Sequence, residues 1–230
     1  PASDFWSPTA QAYRSEPEFA GFRVAINGDT AVVAANNYRG GLSDHTAVVY
    51  RFKLSDGVWS LDRKIGIDNT ASGNSTARSG ISIDINKNWI VIGTPGTNRV
   101  MVLGDAYNYL SPTNRTWNLD QYIGRPDSYY RNFGSKVVLQ NSTLVVTSSL
   151  DSSGLYNTEG AFVYEFSNHS WSLTQKLIPN DPAESDFSVT SIDIDGDRIV
   201  VGTINQNAYV FTRDTTTNVW AESHRFTPTD

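Results

Sequence analysis

An all-β chain built from repeated four-stranded antiparallel units is what three features of the sequence predict. A tryptophan-led strand recurs along the chain, a β-hairpin of fixed length runs in phase with it, and an aromatic strand lies between the two. The composition agrees: it is rich in Ser, Thr, Asn and Gly, and 12% of its residues are aromatic, a mixture suited to many short strands joined by tight turns.

The tryptophans set the phase. Trp59-Ser-Leu-Asp-Arg-Lys-Ile65, Trp117-Asn-Leu-Asp-Gln-Tyr-Ile123 and Trp171-Ser-Leu-Thr-Gln-Lys-Leu177 are one pattern written three times. Trp220-Ala-Glu-Ser-His-Arg-Phe226 is a looser copy, and Phe5-Trp6-Ser7-Pro8 opens a degraded one. Their spacing of about 50 residues is that of propeller blades rather than of most helical solenoids.

The hairpins keep step. In each unit an anchoring Ile or Leu (Ile26, Ile85, Leu139, Ile194) is followed six residues later by valine (Val32, Val91, Val145, Val200), with no insertion or deletion between them. Asn27-Gly28, Asn86-Lys87, Gln140-Asn141 and Asp195-Gly196 connect the two strands, mostly residue types that tolerate the positive φ of hairpin turns. Paired strands are therefore predicted over 22–27 with 30–35, 81–86 with 89–94, 135–140 with 143–148 and 190–195 with 198–203. The third strand is Ala47–Phe52, Arg99–Leu103, Gly160–Phe166 and Ala208–Phe211, at a variable distance before its tryptophan. A rigid inner hairpin with an elastic outer turn is the behaviour of a β-propeller, whose innermost strand lines the axis. The predicted organisation is an outer strand or arm over 1–18, then blades over 19–73, 74–127, 128–182 and 183–230.

Phe133-Gly134-Ser135, ahead of Val137-Val138-Leu139, resembles the FG-GAP type of propeller repeat known from integrin α-subunit heads and many secreted proteins. The run from Gly21 to Val33 is similar to the shorter variety of that repeat. Gly21, Gly80 and Gly134 each stand five residues before their anchors, whereas the fourth unit has Val189. The resemblance spans about residues 19 to 226 and implies fold more than activity. Integrin-like copies hold calcium in a long acidic loop between the first two strands. The tight turns here supply too few oxygens for that ion, which takes six to eight. Asp29, Asp193, Asp195 and Asp197 are accordingly read as solvated turn residues, and neither metal nor cofactor is expected.

Charge and residue inventory narrow the function. The net charge is -6 and no basic cluster occurs, which argues against nucleic acid as a partner. No apolar run approaches the length of a membrane span, so membrane insertion is not expected. Cysteine is absent, and His45, His169 and His224 are too far apart in sequence for zinc-like spacing. There is no Gly-x-Ser-x-Gly elbow and no phosphate-binding glycine loop. Ser55-Asp56-Gly57-Val58-Trp59 is too short for the signature loop of propeller sialidases. The expectation is a non-enzymatic binding, adhesion or assembly module, secreted or at the cell surface, whose partner is a protein or a glycan.

Binding residues are expected on the loops, where the scaffold tolerates variation. The richest are Asn36, Asn37, Tyr38 and Arg39; Asp127, Tyr129, Tyr130 and Arg131; and Asp151, Tyr156 and Glu159. Asn74, Asn114, Asn141 and Asn168 head glycosylation sequons. Trp59, Trp117 and Trp171 are expected to be buried with Leu61, Leu119 and Leu173 on the same strand face. The alternatives are a lectin with a tryptophan sugar platform in every blade and, from a different class, a propeller glycoside hydrolase. Finally, Trp6 reads as an outer strand lacking its three inner partners. Further blades, from the same polypeptide or another chain, are therefore expected to complete a ring of more than four.

Overall fold

The structure is a computed structural model, and it describes residues 19–38, 46–68, 82–106, 116–128, 130, 132–148, 160–180, 187–204 and 206–227. The segment around Trp6 lies outside them. The described residues form four separate four-stranded antiparallel sheets, each a simple meander. Blade 1 comprises β1 (Phe19–Asn27), β2 (Thr30–Tyr38), β3 (Thr46–Ser55) and β4 (Val58–Asp68). Blade 2 comprises β5 (Ser82–Ile85), β6 (Trp89–Thr94), β7 (Arg99–Ala106) and β8 (Thr116–Gly124). Blade 3 comprises β9 (Val137–Gln140), β10 (Thr143–Ser148), β11 (Gly160–Ser167) and β12 (Ser170–Leu177). Blade 4 comprises β13 (Val189–Asp195), β14 (Arg198–Thr203), β15 (Ala208–Arg213) and β16 (Trp220–Phe226). This is the β-propeller architecture, and all four predicted inner hairpins are present.

Their register is identical: Ile26 pairs with Ala31, Ile85 with Ile90, Leu139 with Leu144 and Ile194 with Ile199. Turn chemistry fixes it. Gly28 and Gly196 sit at φ 56° and 57°, and Asn141 takes the same left-handed conformation at 51°. In blade 2 the Asn86 side chain does this work, its Oδ1 accepting the backbone N–H of Asn88 and of Trp89, each at 2.9 Å.

Because side chains alternate across a pleated strand, each blade has two faces. The back face meets the preceding blade and carries large residues; the front face meets the following blade and carries small ones. Val32, Ala34 and Val49 on the front of blade 1 pack with Ile83, Ile85, Ile90 and Ile92 on the back of blade 2. Val91, Val100 and Val102 of blade 2 pack with Leu144, Phe162, Tyr164 and Trp171 of blade 3. Val145, Ala161 and Val163 of blade 3 pack with Ile199, Tyr209, Phe211 and Trp220 of blade 4. The core therefore lies between the blades, and the innermost strands touch in sequence, β1 on β5, β5 on β9 and β9 on β13.

The outer strands all carry the same irregularity. Each has one extra residue three positions after its tryptophan: Asp62, Asp120, Thr174 and Ser223. The Thr174 and Ser223 hydroxyls donate to the carbonyls of Val163 and Val210 on the neighbouring strand, at 3.1 and 3.2 Å. Such a bulge reverses which side chains face front beyond it. Trp171 and Leu173 thus lie on the back face, whereas Gln175 and Leu177 turn to the front.

Two expectations about the tryptophans need correction. Trp171 is buried as predicted and Trp220, for which no prediction was made, is buried too, but Trp59 is 42% exposed; the side chain of Trp117 lies outside the described residues. Trp171 is covered by blade 2, in edge contact with Trp89 at 5.2 Å, whereas on the back of blade 1 the burial is confined to Ala35, Val48 and Tyr50 and leaves Trp59 exposed. Leu61, Leu119 and Leu173 share the tryptophan face but remain half exposed.

Candidate functional site

The best-defined loop feature lies where blade 2 passes to blade 3, over residues 125–136. Tyr130 is fixed there by four contacts. Its N–H donates to the Asp127 carbonyl at 3.2 Å, and its own carbonyl accepts from Arg125 Nη1 at 3.2 Å. Its ring stands edge-on to Phe162, with centroids 4.8 Å apart, and Lys176 Nζ donates to its hydroxyl at 3.4 Å. Lys176 also lies 5.2 Å from the Tyr130 ring centroid, within cation–π range. Asp127 is exposed beside them and accepts the Ser128 hydroxyl at 3.2 Å. The result is a half-exposed phenol with an ammonium fixed against it, and the exposed Asp127 carboxylate on the same turn, a set that suits polar or aromatic ligand groups.

Below this loop, Phe133 and Gly134 lock blade 3 onto blade 2. Phe133 is fully buried against Phe162 and Tyr164. Gly134 has φ 91°, and a Cβ there would stand 2.7 Å from the Arg99 carbonyl oxygen. Only glycine combines that conformation with so close an approach. Its carbonyl accepts the Ser82 hydroxyl at 2.8 Å.

Of the predicted ligand-binding residues, the structure brings Asp127 and Tyr130 together. Asn36, Asn37 and Tyr38 end strand β2, and their side chains are not among those described. Arg39, Tyr129, Arg131, Asp151, Tyr156 and Glu159 lie outside the described residues, as do Asn74 and Asn114. Asn141 and Asn168 occupy exposed turns at φ 51° and 50°, and the Asn141 carbonyl accepts Asn86 Nδ2 at 2.9 Å. Lys176, which completes the patch, was missed: it lies in an outer strand 46 residues away, with no local signal of its own. Burial of Trp171 and Trp220 removes the lectin with a tryptophan platform in every blade.

Sequence reasoning also missed a repeated clamp between blades. Gln121 Oε1 accepts the Trp171 N–H at 2.8 Å, while its Nε2 donates to the Trp171 carbonyl at 2.9 Å. Gln175 does the same for Trp220, at 2.8 and 2.6 Å. The signal was legible as Trp-x-Leu-x-Gln in two units, but only the bulge explains it, by turning the glutamine toward the next blade. On the innermost strand β5, Asp84 Oδ1 accepts the Ile85 N–H at 2.8 Å and Oδ2 accepts the Leu139 N–H at 2.7 Å. Burial pushes the Asp84 carboxyl above its ordinary value, the two N–H bonds oppose this, and the negative charge of Asp193 adds to it. With both oxygens engaged, Asp84 holds blades together. Among the described residues, no group of three or more His, Asp or Glu gathers as a metal site. None of the described helices is long and apolar enough to cross a membrane.

Fold and joints together define a β-propeller repeat protein. More narrowly, residues 171–212 match the model of the FG-GAP repeat, which bears out the resemblance read from Gly21 and Phe133-Gly134. The matched unit runs from outer strand β12 through the three inner strands of blade 4, so it spans a joint. No curated protein matches the chain in sequence. Among solved structures, the chain is similar to a candidate 6-phosphogluconolactonase from Bacteroides uniformis, with 14% identity and a TM-score of 0.57, covering 88% of this chain and 55% of that one. A second candidate 6-phosphogluconolactonase, from Bacteroides fragilis, shares 9% identity at a TM-score of 0.55, covering 90% and 70%. Sqt1 from Chaetomium thermophilum shares 10% at 0.55, covering 85% and 43%. The chain thus spans about half the length of the first of these. Such identities speak to fold alone, yet they correct the expectation of a non-enzymatic module: this architecture is shared with proteins described as lactonases, so absence of catalysis does not follow from it.

Proposed function

We propose that this chain is the binding and assembly module of a secreted or cell-surface protein, engaging a protein or glycan through its loop face. The observation that carries this reading is the Tyr130–Lys176–Asp127 patch. Its aromatic ring is fixed before any ligand arrives, so binding costs little side-chain entropy. The match to the FG-GAP repeat supports it, since such repeats occur in extracellular proteins.

The test is a glycan array together with a panel of extracellular proteins, probed with the chain and with Tyr130→Ala and Lys176→Ala. Binding by the wild type should fall by about 2 kcal/mol or more in Tyr130→Ala, as at a central interface anchor. A ligand bound equally well by both variants would move the site elsewhere, and no ligand at all would remove the reading.

A further inference from the structure

The innermost strands share one register, so equivalent positions form levels along the propeller axis. The residue three before each anchor is Arg23 in blade 1, Ser82 in blade 2, Lys136 in blade 3 and Ser191 in blade 4. Arg23, Ser82 and Ser191 pair with Ala34, Gly93 and Gly202, each eight residues after its anchor. Lys136, just before β9, is held to Thr147 in the same way: its carbonyl accepts the Thr147 N–H at 3.0 Å, and its own N–H donates to the Thr147 hydroxyl at 3.1 Å. Two residues further along, the next level holds Ala25, Asp84, Val138 and Asp193. Two strand residues span about 7 Å, so the cations and the carboxylates occupy separate levels.

The two levels do not neutralise each other. Burial holds the Lys136 ammonium below its ordinary value, and the charge of Arg23 lowers it further. Arg23 therefore acts on Lys136 from two blades away, past strand β5, which touches both β1 and β9. No carboxylate charge works against this, and Lys136 makes no ion pair with any described residue. Asp84 is raised by burial and by the charge of Asp193, and its two oxygens are taken by the Ile85 and Leu139 N–H groups. Ser82 is committed as well, its hydroxyl donating to the Gly134 carbonyl at 2.8 Å. Lys136 is thus a partly buried ammonium with a second cation in reach and no anion of the described residues beside it.

Like charges held together where water is partly excluded disfavour one another. An anion between them removes that cost and gains charge-assisted hydrogen bonds from both. The chain as a whole carries a charge of -6, so general attraction to its surface would not draw an anion there. We propose that Arg23 and Lys136 form a binding site for a dianionic oxyanion, phosphate or sulfate, either free or as the terminal group of a small ester. Two positive charges match the dianion, and the guanidinium fork suits two of its oxygens while the ammonium takes a third. The site stands apart from the Tyr130–Lys176 patch, at the end of β9 that the 125–136 loop enters.

The test is titration calorimetry with inorganic phosphate at constant ionic strength, balanced with chloride. Saturable binding at one site per chain is expected, weakened at least about tenfold in Lys136→Met and in Arg23→Gln, the share of one charge-assisted contact. Lys136→Arg should keep most of the affinity, and circular dichroism of each variant without phosphate checks the fold. If Lys136→Met does not fold, Arg23→Gln, at an exposed position, carries the test. Methyl phosphate separates the two sources: binding as tight as that of phosphate or tighter assigns an ester, and much weaker binding assigns the free ion, with the site upheld in both cases. Lys176→Ala should bind phosphate as the wild type does, so this inference and the ligand-binding reading fail separately. A phosphate effect no larger than that of chloride overturns the proposal, as does phosphate binding that Lys136→Met and Arg23→Gln leave unchanged.

Discussion

The three joints between blades and the two blade faces outside those joints use the same residues to opposite effect. The valine six residues after each anchor is fully buried in blades 1, 2 and 3, each followed by another blade, and 41% exposed in blade 4. The anchor itself is buried in blades 2 and 3 and 65% exposed in blade 1, which has no described blade before it. Strand, turn and register are the same in all four units. Burial at these positions is thus a property of the neighbouring blade, as expected for an array in which each unit contacts only its neighbours and the interface between units carries much of the stability.

The sharpest way to break this comparison is with the tryptophans. Trp171→Ala should destabilise the chain by about 3–5 kcal/mol in urea unfolding, the range for a buried aromatic truncated in a core. Trp59→Ala should cost about 0.5 kcal/mol or less, as at an uncovered surface. Equal costs would mean that the back of blade 1 is covered in solution.

Next in size is Gly134→Ala, which forces a side chain into a left-handed backbone position and against the Arg99 carbonyl. About 1–3 kcal/mol is expected, read as a lower melting temperature. Gly28→Ala is the matching control, a positive-φ turn with open space around it, and should cost less. A similar loss in both would attribute the Gly134 effect to backbone conformation alone.

The clamp offers a smaller contrast. Gln175→Ala leaves the Trp220 N–H and carbonyl without their partner and should cost about 1–2 kcal/mol. His224→Ala, at the corresponding position of blade 4, should be near neutral in the isolated chain.

The smallest effect concerns pH. Burial raises the Asp84 carboxyl, so the fold favours its protonated form. The associated stability is complete below the ordinary carboxylate value and is lost as pH rises through the raised one. Asp84→Asn should flatten the part of the stability profile that falls as pH rises above the ordinary carboxylate value, read in urea titrations. An unchanged slope would transfer it to another group, with Glu165 the first to check, since burial raises its carboxyl too.

Much of the fold was legible because its information is local. The side chains of a strand alternate by geometry, and Asn-Gly or Asp-Gly at a fixed place sets a hairpin register whatever surrounds it. Gly21, the valines and the tryptophans therefore gave blade number, strand order and the FG-GAP resemblance without any tertiary knowledge. Part of the candidate patch was legible in the same way, since Asp127 and Tyr130 share one loop.

Tertiary structure decided the rest. Lys176 reaches Tyr130 across 46 residues, Gln175 reaches Trp220 across 45, and Asp84 reaches Leu139 across 55. No periodicity within a unit marks such pairs. The bulge is the clearest case. One extra residue after each tryptophan reverses the face on which Gln121 and Gln175 stand, and two-residue alternation read from the sequence would have placed them on the tryptophan side. The sequence by itself determined what each blade is. Which face of each blade is covered, and therefore why Trp171 is core while Trp59 is surface, was decided by what packs beside it, because burial belongs to a pair of surfaces and a repeat describes only one.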